Sequence, residues 1–199
     1  MKQTITLLAS ILGISVLIHS ELPSQPLALK VRREDSHVGF SIYKWAVLKE
    51  EGRFKDFDGT ITFDPNNPSS TRVYFTIKAA SIDSRNEGRD RALRSEEFFH
   101  VTKYPTLSFT SVNVKAADNT LLMVEGDLTI RGVTKRTIIP VKILGVNHTG
   151  RELGTLVGFE STFTINREDF GVAKGWDVIS EEATIQLLIG AGTGTLVSR

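Results

Sequence analysis

The chain has 199 residues, of which 40% are hydrophobic and 24% charged, and its formal net charge is +1. This balance is typical of one folded domain with a full hydrophobic core, and it excludes a disordered chain and a protein with many membrane spans. The near-zero charge gives no field that would attract nucleic acid, and the absence of cysteine excludes disulfides, thiol nucleophiles and thiolate metal sites.

The first twenty residues have the pattern of a secretory signal peptide. Lys2 precedes an apolar run from Ile5 to Ile18, which is too short for a comfortable membrane span. We therefore predict that residues 1–20 are a signal peptide, with cleavage between Ser20 and Ala28. From this prediction we expect the mature protein to be periplasmic or secreted and to have no transmembrane span. An uncleaved anchor is the alternative.

After a predicted linker at residues 21–29, apolar and polar residues alternate with the period of a β-strand. The alternation recurs in about eight segments, and the longest helix-like stretch between them is residues 86–100. This pattern favours a sandwich or a closed barrel. The glycine-rich residues 191–199 are predicted to be a flexible tail. The alternating segments are Val38–Ile42, Gly59–Phe63, Val73–Ile77, Leu107–Val114, Leu122–Ile130, Ile139–Ile143, Val157–Ile165 and Ala183–Ile189.

Several strands carry irregularities that predict local features. The apolar phase changes between Phe109 and Val114, which predicts a bulge near Thr110–Ser111. Pro140 is expected at an edge or outward position because it cannot donate to a ladder. Small residues also stand on otherwise apolar faces, where they indicate either an internal cavity or a local bend. These small residues are Gly59, Gly126 and Ser161.

The segment at residues 86–100 is charged and ends in two adjacent phenylalanines. It fits two short helical pieces, the first ending near Arg94 and the second capped by Ser95. Leu93, Phe98 and Phe99 are too apolar to be left in water together, so we expect them to cover an apolar feature.

Four arginines of this region could bind an anionic head group through forked hydrogen bonds. The alternative, which the sequence favours, is that they pair with carboxylates of the same region. The arginines are Arg85, Arg89, Arg91 and Arg94, and the neighbouring acids are Asp83, Glu87, Asp90, Glu96 and Glu97.

The sequence offers no catalytic constellation. His37, His100 and His148 stand alone, without the spacing of a zinc site. No G-x-S-x-G nucleophile elbow is present, and the adjacent acids Glu50 and Glu51 point to opposite faces of a strand. We predict no catalytic residue, no metal and no cofactor.

Four blocks of the sequence resemble the YceI-like family of bacterial polyisoprenoid-binding proteins. They are FSIYKWAVLKEEGRFKDFDGTITFDP, SIDSRNEGRDRALRSEEFFHVTKYPTLSF, GDLTIRGVTKRTIIPV and INREDFGV. From this resemblance we expect residues 30–190 to form the lipid-binding barrel domain. The resemblance implies an all-β fold, an extended eight-stranded antiparallel lipocalin-like barrel with one short helical insert near residues 86–100. It also implies an elongated apolar tunnel.

For such a tunnel, the resemblance implies non-enzymatic binding, transport or sequestration of a long isoprenoid-type lipid, either a polyprenyl compound or an isoprenoid quinone. The alternatives are a fatty-acid-type amphiphile, an enzyme that uses the cavity, and an exported interaction module with a packed barrel. A homodimer is a further alternative that the sequence leaves open. The residues expected to line the tunnel or its lip are Phe40, Ile42, Ile61, Phe63, Phe75, Ile77, Leu93, Phe98, Phe99, Phe109, Leu128, Phe159 and Phe163, and those expected to contact a head group are Lys44, Arg89 and Arg94.

The chain departs from the family pattern at two positions. Many members have histidine where this chain has Lys44 and where it has Ala92. Lys44 would favour an anionic head group such as a phosphate or a carboxylate. The alternative is that Lys44 points outward beside Glu50 or Glu51.

Overall fold

The computed structural model describes residues 25–148 and 154–194. The predicted signal peptide and the end of the predicted tail lie outside the described residues. The described chain forms ten strands and one α-helix: β1 (Leu27–Lys44), β2 (Leu48–Phe54), β3 (Phe57–Phe63), β4 (Arg72–Lys78), β5 (Ile82–Asp83), α1 (Glu87–Arg94), β6 (Thr106–Ala116), β7 (Leu121–Ile130), β8 (Val133–His148), β9 (Thr155–Asn166) and β10 (Glu182–Gly192).

Eight of these strands form a closed antiparallel barrel. The order around the wall is β1, β3, β4, β6, β7, β8, β9 and β10, and pairing of β10 with β1 closes it. Strand β2 pairs with the second half of β1, and the short β5 adds to β2. The predicted eight-stranded barrel is confirmed, with two additional strands that lie outside the ring.

Strand β1 is long because it pairs with two different strands along one of its edges. Its first residues, Leu27–Lys30, pair with β3, while Val38–Lys44 pair with β2. The register against β10 shifts between Arg32 and His37. The strand therefore begins within the stretch predicted as linker, and β10 likewise runs on to Gly192, within the predicted tail.

Along each strand, every second side chain points into the barrel, and most of these inward side chains are apolar. In β3 every second residue from Phe57 to Phe63 is buried. Phe63 packs edge-on against Phe159 at a centroid distance of 5.6 Å, and Leu29 is also buried. These side chains fill the end of the barrel where β1 begins and β3 ends, so that this end is closed.

The strand irregularities predicted from the sequence are present. The register of β6 against β7 shifts between Ser111 and Asn113, which confirms the bulge one residue further on than predicted. Val112 is exposed and Val114 is buried as a result. Pro140 pairs with Met123 of β7, but it lies beyond the last pair between β8 and β9. It therefore occupies an edge, as expected.

The helical insert consists of one helix rather than two. Asn86 caps α1 by accepting a hydrogen bond from the backbone N–H of Arg89 at 2.9 Å. Ser95 is the C-cap of α1, not the N-cap of a second helix, and its carbonyl accepts from the backbone N–H groups of Phe98 and His100 in a turn. No helix in the described part of the chain is both long and apolar enough to span a membrane.

Candidate functional site: a two-part apolar tunnel

The barrel encloses an inner chamber of ≈150 Å³. Its wall consists of inward side chains from the barrel strands, and nearly all of them are aliphatic or aromatic. Among the few polar side chains at this wall are Thr71 and Ser161, both buried. Such a lining binds hydrocarbon without a polar partner.

A larger vestibule of ≈610 Å³ lies at the opposite end from Phe63, where β1 ends and β10 begins. It is lined by the insert, by the loop between β9 and β10, and by the ends of β1 and β2. The chamber and the vestibule share six lining residues and are therefore adjacent; we refer to the two cavities together as the tunnel. The shared residues are Phe40, Phe54, Leu107, Ile130, Ile165 and Ile185.

Twelve of the thirteen apolar residues predicted to line the tunnel or its lip do so. In the inner chamber lie Phe40, Ile61, Phe75, Ile77, Phe109, Leu128, Phe159 and Phe163, and in the vestibule lie Phe40 again, Ile42, Leu93, Phe98 and Phe99. Phe63 is the exception, because it belongs to the packed core at the closed end. That these side chains contact a ligand remains a prediction.

The inward glycines do not leave empty space. A Cβ on Gly59 would lie 2.6 Å from Cδ2 of Phe75, and a Cβ on Gly126 would lie 2.5 Å from Cζ of Phe109. The rings of these phenylalanines cross over the glycines of the neighbouring strand. Gly59 and Gly126 therefore allow close approach of a ring, and the cavity reading of these two positions is wrong. Ser161 does line the chamber.

The insert covers the vestibule with its aromatic residues. Phe98 packs edge-on against Trp176, with ring centroids 5.1 Å apart. Phe99 packs edge-on against Phe54 of β2, at 5.7 Å. Phe98 is 9% exposed, so it is packed under Trp176 rather than standing at an open lip. This contact joins the insert to the loop between β9 and β10.

Arg89 lines the vestibule, but all three of its nitrogens bind protein groups. Nε donates to Oγ of Ser84 at 2.9 Å, and Nη2 donates to the carbonyl of Ser84 at 2.9 Å. Nη1 forms an ion pair with Glu50 of β2. Ser84 in turn donates to the buried carboxylate of Asp90 at 2.6 Å. The geometry assigns Arg89 to holding α1 against β2.

Arg94 lies outside both cavities, where it donates to the carbonyls of Ala80 at 2.9 Å and Ile82 at 2.7 Å. The placement of Arg94 at a head group is therefore wrong. The predicted pairing of the arginines with acids of the same segment is also wrong for Arg89, which pairs with Glu50 of β2. Strand β5 pairs with β2 and so brings Glu50 beside α1. No local pattern in the sequence indicates this non-local contact.

Lys44 lies at the rim of the vestibule and makes no ion pair with any described residue. Its Nζ lies 4.2 Å from the ring centroid of Trp45, within the range of a cation–π contact. Trp45 is 59% exposed, and the backbone N–H of Trp45 donates to the carbonyl of Val178 at 2.8 Å. Lys44 can therefore offer its three donors to a ligand.

The acids near Lys44 are occupied elsewhere. Glu51 accepts from Nζ of Lys49 at 2.8 Å. This hydrogen bond lowers the pKa of Glu51 below its ordinary value and raises the pKa of Lys49 above its own. Both groups therefore stay charged at neutral pH, while Glu50 binds Arg89.

Arg167 is the structural centre of the loop between β9 and β10. It is 5% exposed, and its guanidinium donates to five backbone carbonyls of this loop. These belong to Ser180 (2.9 Å), Val172 (2.9 Å), Ala173, Trp176 (3.1 Å) and Ile179 (3.1 Å). One side chain thus binds five carbonyls of the loop that carries Trp176 over the vestibule.

Sequence reasoning missed Arg167, Trp176 and the neighbouring vestibule residues Phe170, Val172 and Ile179. Their loop has no alternating pattern, and a single buried arginine gives no periodic signal. The INREDFGV block was the available clue, because it contains both Arg167 and the buried Phe170.

A family model described as the YceI-like domain matches residues 29–191, nearly the whole described chain. The chain belongs to the YceI-like family. The protein YceI of Shigella flexneri is 38% identical over 162 residues, which cover 78% of this chain and 82% of that protein. A UPF0312 protein of Ectopseudomonas mendocina is 35% identical and covers 92% and 94% of the two chains.

Solved structures share the fold of this YceI-like protein. Campylobacter jejuni YceI is 30% identical, with a TM-score of 0.64 over 72% of this chain and 85% of that one. BcnA of Burkholderia cenocepacia has a TM-score of 0.74 at 24% identity, over 80% and 98% of the chains. A polyisoprenoid-binding domain from Saccharophagus degradans has a TM-score of 0.67 at 16% identity, over 84% and 99%. The last two similarities concern the fold alone.

The two positions at which we expect this YceI-like chain to depart from the family pattern lie in one place. Lys44 and Ala92 both line the vestibule, and neither lines the inner chamber. The differences therefore concern the polar end of the tunnel, not the hydrocarbon-lined part.

Proposed function

We propose that this protein binds, and carries or sequesters, a long apolar isoprenoid-type lipid without chemically altering it. A polyprenyl compound or an isoprenoid quinone has the required form, a flexible branched chain with one polar end. The proposal includes a periplasmic or secreted location, which rests on the pattern of residues 1–20.

One observation carries the proposal: polarity changes along the tunnel. The inner chamber is walled almost entirely by apolar side chains, with Glu160 as its one charged lining residue among the described residues, whereas five charged residues stand around the vestibule. An amphiphile with its chain inward and its head at Lys44 would match this gradient. Each CH₂ removed from water there stabilises the complex by about 0.8 kcal/mol before ordering costs are subtracted.

Most polar side chains of the vestibule are already hydrogen-bonded to protein groups, which favours a carrier over an enzyme. The nitrogens of Arg89 and Arg167 donate to protein acceptors, and the hydroxyl of Ser84 donates to Asp90. These groups build the wall of the vestibule and are not poised toward a ligand. Lys44 is left as the cation available to a head group.

A second candidate ligand is a fatty-acid-type amphiphile, which the free ammonium group of Lys44 favours. A carboxylate at the rim would gain a charge-assisted hydrogen bond from Nζ. The tunnel behind it would take the acyl chain as readily as a prenyl chain.

Extraction of the purified protein with chloroform and methanol, followed by mass spectrometry, tests the proposal. We expect a stoichiometric apolar compound with isoprenoid mass spacing. A delipidated sample should also bind a dansyl-labelled farnesyl probe. If repeated preparations release no such compound and the probe does not bind, the proposal is wrong. Recovery of fatty acids alone would support the second candidate.

A matched pair of variants locates the ligand. Ile185 lines both the chamber and the vestibule, while Leu188 on the same strand is 45% exposed on the outer wall. We expect Ile185→Trp to obstruct the tunnel and reduce the bound lipid, and Leu188→Trp to leave it unchanged. Equal lipid content in the two variants would place the ligand outside the tunnel.

A further inference from the structure

The wall of the barrel has a seam between β8 and β9. The paired register of these strands runs only from His148↔Thr155 to Lys142↔Glu160. Both strands continue beyond that point, β8 back to Val133 and β9 on to Asn166. We name Val133–Val141 of β8 and Ser161–Asn166 of β9 the β8–β9 seam.

Each side of the seam is well ordered by its other neighbour. Residues 133–141 of β8 pair with Leu122–Ile130 of β7 without interruption. Residues 161–166 of β9 pair with Glu182–Leu187 of β10. The two halves of the wall are therefore complete sheets that meet at the seam without a ladder of paired residues between them.

Side-chain contacts fasten the seam near its two ends. At one end, Oγ of Ser161 donates to the carbonyl of Pro140 at 2.5 Å. Pro140 has no backbone N–H, so this edge of β8 lacks a donor where the ladder stops. At the other end, Nζ of Lys135 lies 3.4 Å from Oδ2 of Asp169, and this ion pair is exposed on both sides.

The seam borders the inner chamber directly. Ile139 and Val141 of β8, and Phe163 and Ile165 of β9, all line that chamber. Separation of the strands between the two fastening contacts would expose the hydrocarbon-lined interior. On the outer surface beside the seam, Ile138 is 57% exposed.

Pairing of the seam with a strand of another protein is disfavoured by its own residues. Lys135 and Arg136 are exposed on β8, and Pro140 interrupts its donors. Charged residues and proline are the usual protection of a free strand edge. The structure thus maintains an unpaired edge beside its cavity and protects this edge from other strands.

We propose that the β8–β9 seam is a lateral portal through which the apolar chain of the ligand enters and leaves the inner chamber. This inference rests on the proposed lipid-binding function. The physical reason is that separation of the seam breaks no ladder of paired residues, whereas separation of a laddered pair breaks a row of backbone hydrogen bonds. Phe63 packs one end of the barrel, and Phe98 and Trp176 cover part of the other, whereas the seam is an unladdered stretch of wall that borders the inner chamber directly.

Because the chain contains no cysteine, a thiol-directed bridging reagent attaches at the introduced cysteines. Continuation of the register places Ile138 opposite Thr164, both on the outer face of the wall. The tethered variant is Ile138→Cys with Thr164→Cys, bridged by a short bis-maleimide. The matched control is Thr164→Cys with Thr184→Cys, since these two residues are already paired between β9 and β10.

The readout is stopped-flow binding and release of the dansyl-labelled farnesyl probe, before and after bridging. We expect bridging of the seam to slow association and dissociation together, on the order of tenfold, and bridging of the control pair to change neither. Both singly substituted proteins, labelled with a mono-maleimide, should keep the unbridged rates. Thermal melting identifies any bridged protein that is not folded.

The outcomes separate the two proposals. If the unsubstituted protein binds the probe and bridging the seam leaves both rates unchanged, the portal is wrong while lipid binding stands. Equal slowing in the seam and control variants would also overturn the portal, because general stiffening would then be the cause. Failure of the unsubstituted protein to bind the probe would count against the proposed function itself.

A second measurement does not depend on tethering. Ser161→Ala removes the donor to the Pro140 carbonyl and leaves the paired part of β8 and β9 intact. We expect faster probe release from this variant and little change in its unfolding midpoint. Unchanged release would contradict the fastening role of Ser161 and, with it, the portal.

Discussion

Phe98 of the insert and Trp176 of the loop between β9 and β10 pack edge-on, with their ring centroids 5.1 Å apart. The contact joins two segments that are distant in sequence and covers part of the vestibule. Phe98 is buried, while Trp176 remains 40% exposed. Trp176 is therefore the outer layer of the cover, and Phe98 is the layer beneath it.

Trp176→Ala should weaken ligand binding more than folding. The substitution removes an aromatic contact and an apolar part of the vestibule wall, and we expect about tenfold lower affinity for the farnesyl probe. Fluorescence titration measures this change, and urea unfolding measures stability. Tyr74→Ala is the control, because Tyr74 is 52% exposed and lines neither cavity. Equal affinity of the two variants would show that Trp176 does not cover the ligand.

Arg167→Ala should be among the most destabilising substitutions in the chain. It leaves the carbonyls of the loop without donors in a buried site, and we expect a loss of about 3 kcal/mol in the free energy of unfolding. Arg167→Lys should recover little of this loss, because an ammonium group cannot reach the five carbonyls that the planar guanidinium binds.

Urea unfolding measures the Arg167 variants, with Arg136→Ala as the control for loss of an arginine. Arg136 is 47% exposed and pairs with Asp127 on the barrel surface, so its removal should cost less than about 1 kcal/mol. Comparable unfolding midpoints for Arg167→Ala and Arg136→Ala would contradict the central role of Arg167.

Gly126→Ala should destabilise the barrel although it adds only one methyl group. The new Cβ would lie 2.5 Å from the carbonyl oxygen of Thr110 as well as from the Phe109 ring. The backbone must therefore move, and we expect a loss of about 1–3 kcal/mol. The unfolding midpoint in urea measures it. Gly158→Ala is the control, since the atoms nearest to its new Cβ belong to the exposed side chain of Leu144. A stable Gly126→Ala variant would restore the cavity interpretation of this glycine.

The barrel and most of its lining were predictable because strand alternation is a local signal. A residue such as Phe75 or Phe159 faces inward whichever strand lies beside it. The partners of Arg89 and the glycines were not predictable in this way. Glu50 meets Arg89 only because β5 pairs with β2, and Phe109 covers Gly126 only through a particular register between β6 and β7. These contacts depend on the three-dimensional arrangement of strands, which periodicity does not encode.

Asp83 should contribute stability that depends on pH. The backbone N–H of Arg85 donates to its carboxylate at 3.1 Å, and Arg53 and Lys55 lie 3.2 and 3.5 Å away. These groups, the backbone N–H first, hold the pKa of Asp83 below its ordinary value of 3.8. A lowered folded-state pKa means that the contribution is present above the unfolded-state pKa and is lost as the pH falls through the folded-state pKa.

Asp83→Asn should therefore be less stable than the unsubstituted protein at neutral pH, and the difference should shrink in acid. Urea unfolding midpoints at about pH 7 and about pH 3 measure it. The two proteins should approach each other at the lower pH, where the carboxylate of the unsubstituted protein begins to take up a proton. A difference that stays constant between the two pH values would show that the charge of Asp83 is not involved.

Lys44→Met should change which head groups the protein accepts. The ammonium group at the rim makes no ion pair with a described residue, so its loss leaves no buried acid unpaired and should not disturb folding. Affinity for farnesyl phosphate should fall by about tenfold, because one charge-assisted hydrogen bond is lost. Affinity for farnesol, which has no charge, should stay nearly constant.

Lys49→Met serves as the control for Lys44→Met, because Lys49 carries the same charge but is bound to Glu51 at 2.8 Å. Competition of each ligand against the dansyl-labelled farnesyl probe measures both variants. If Lys44→Met weakens farnesol and farnesyl phosphate equally, Lys44 acts through the hydrocarbon part of its side chain and the Trp45 ring. If Lys44→Met weakens neither ligand, the head group lies elsewhere in the vestibule. Selective loss of the phosphate in Lys44→Met alone would place the anionic end of the ligand at this rim.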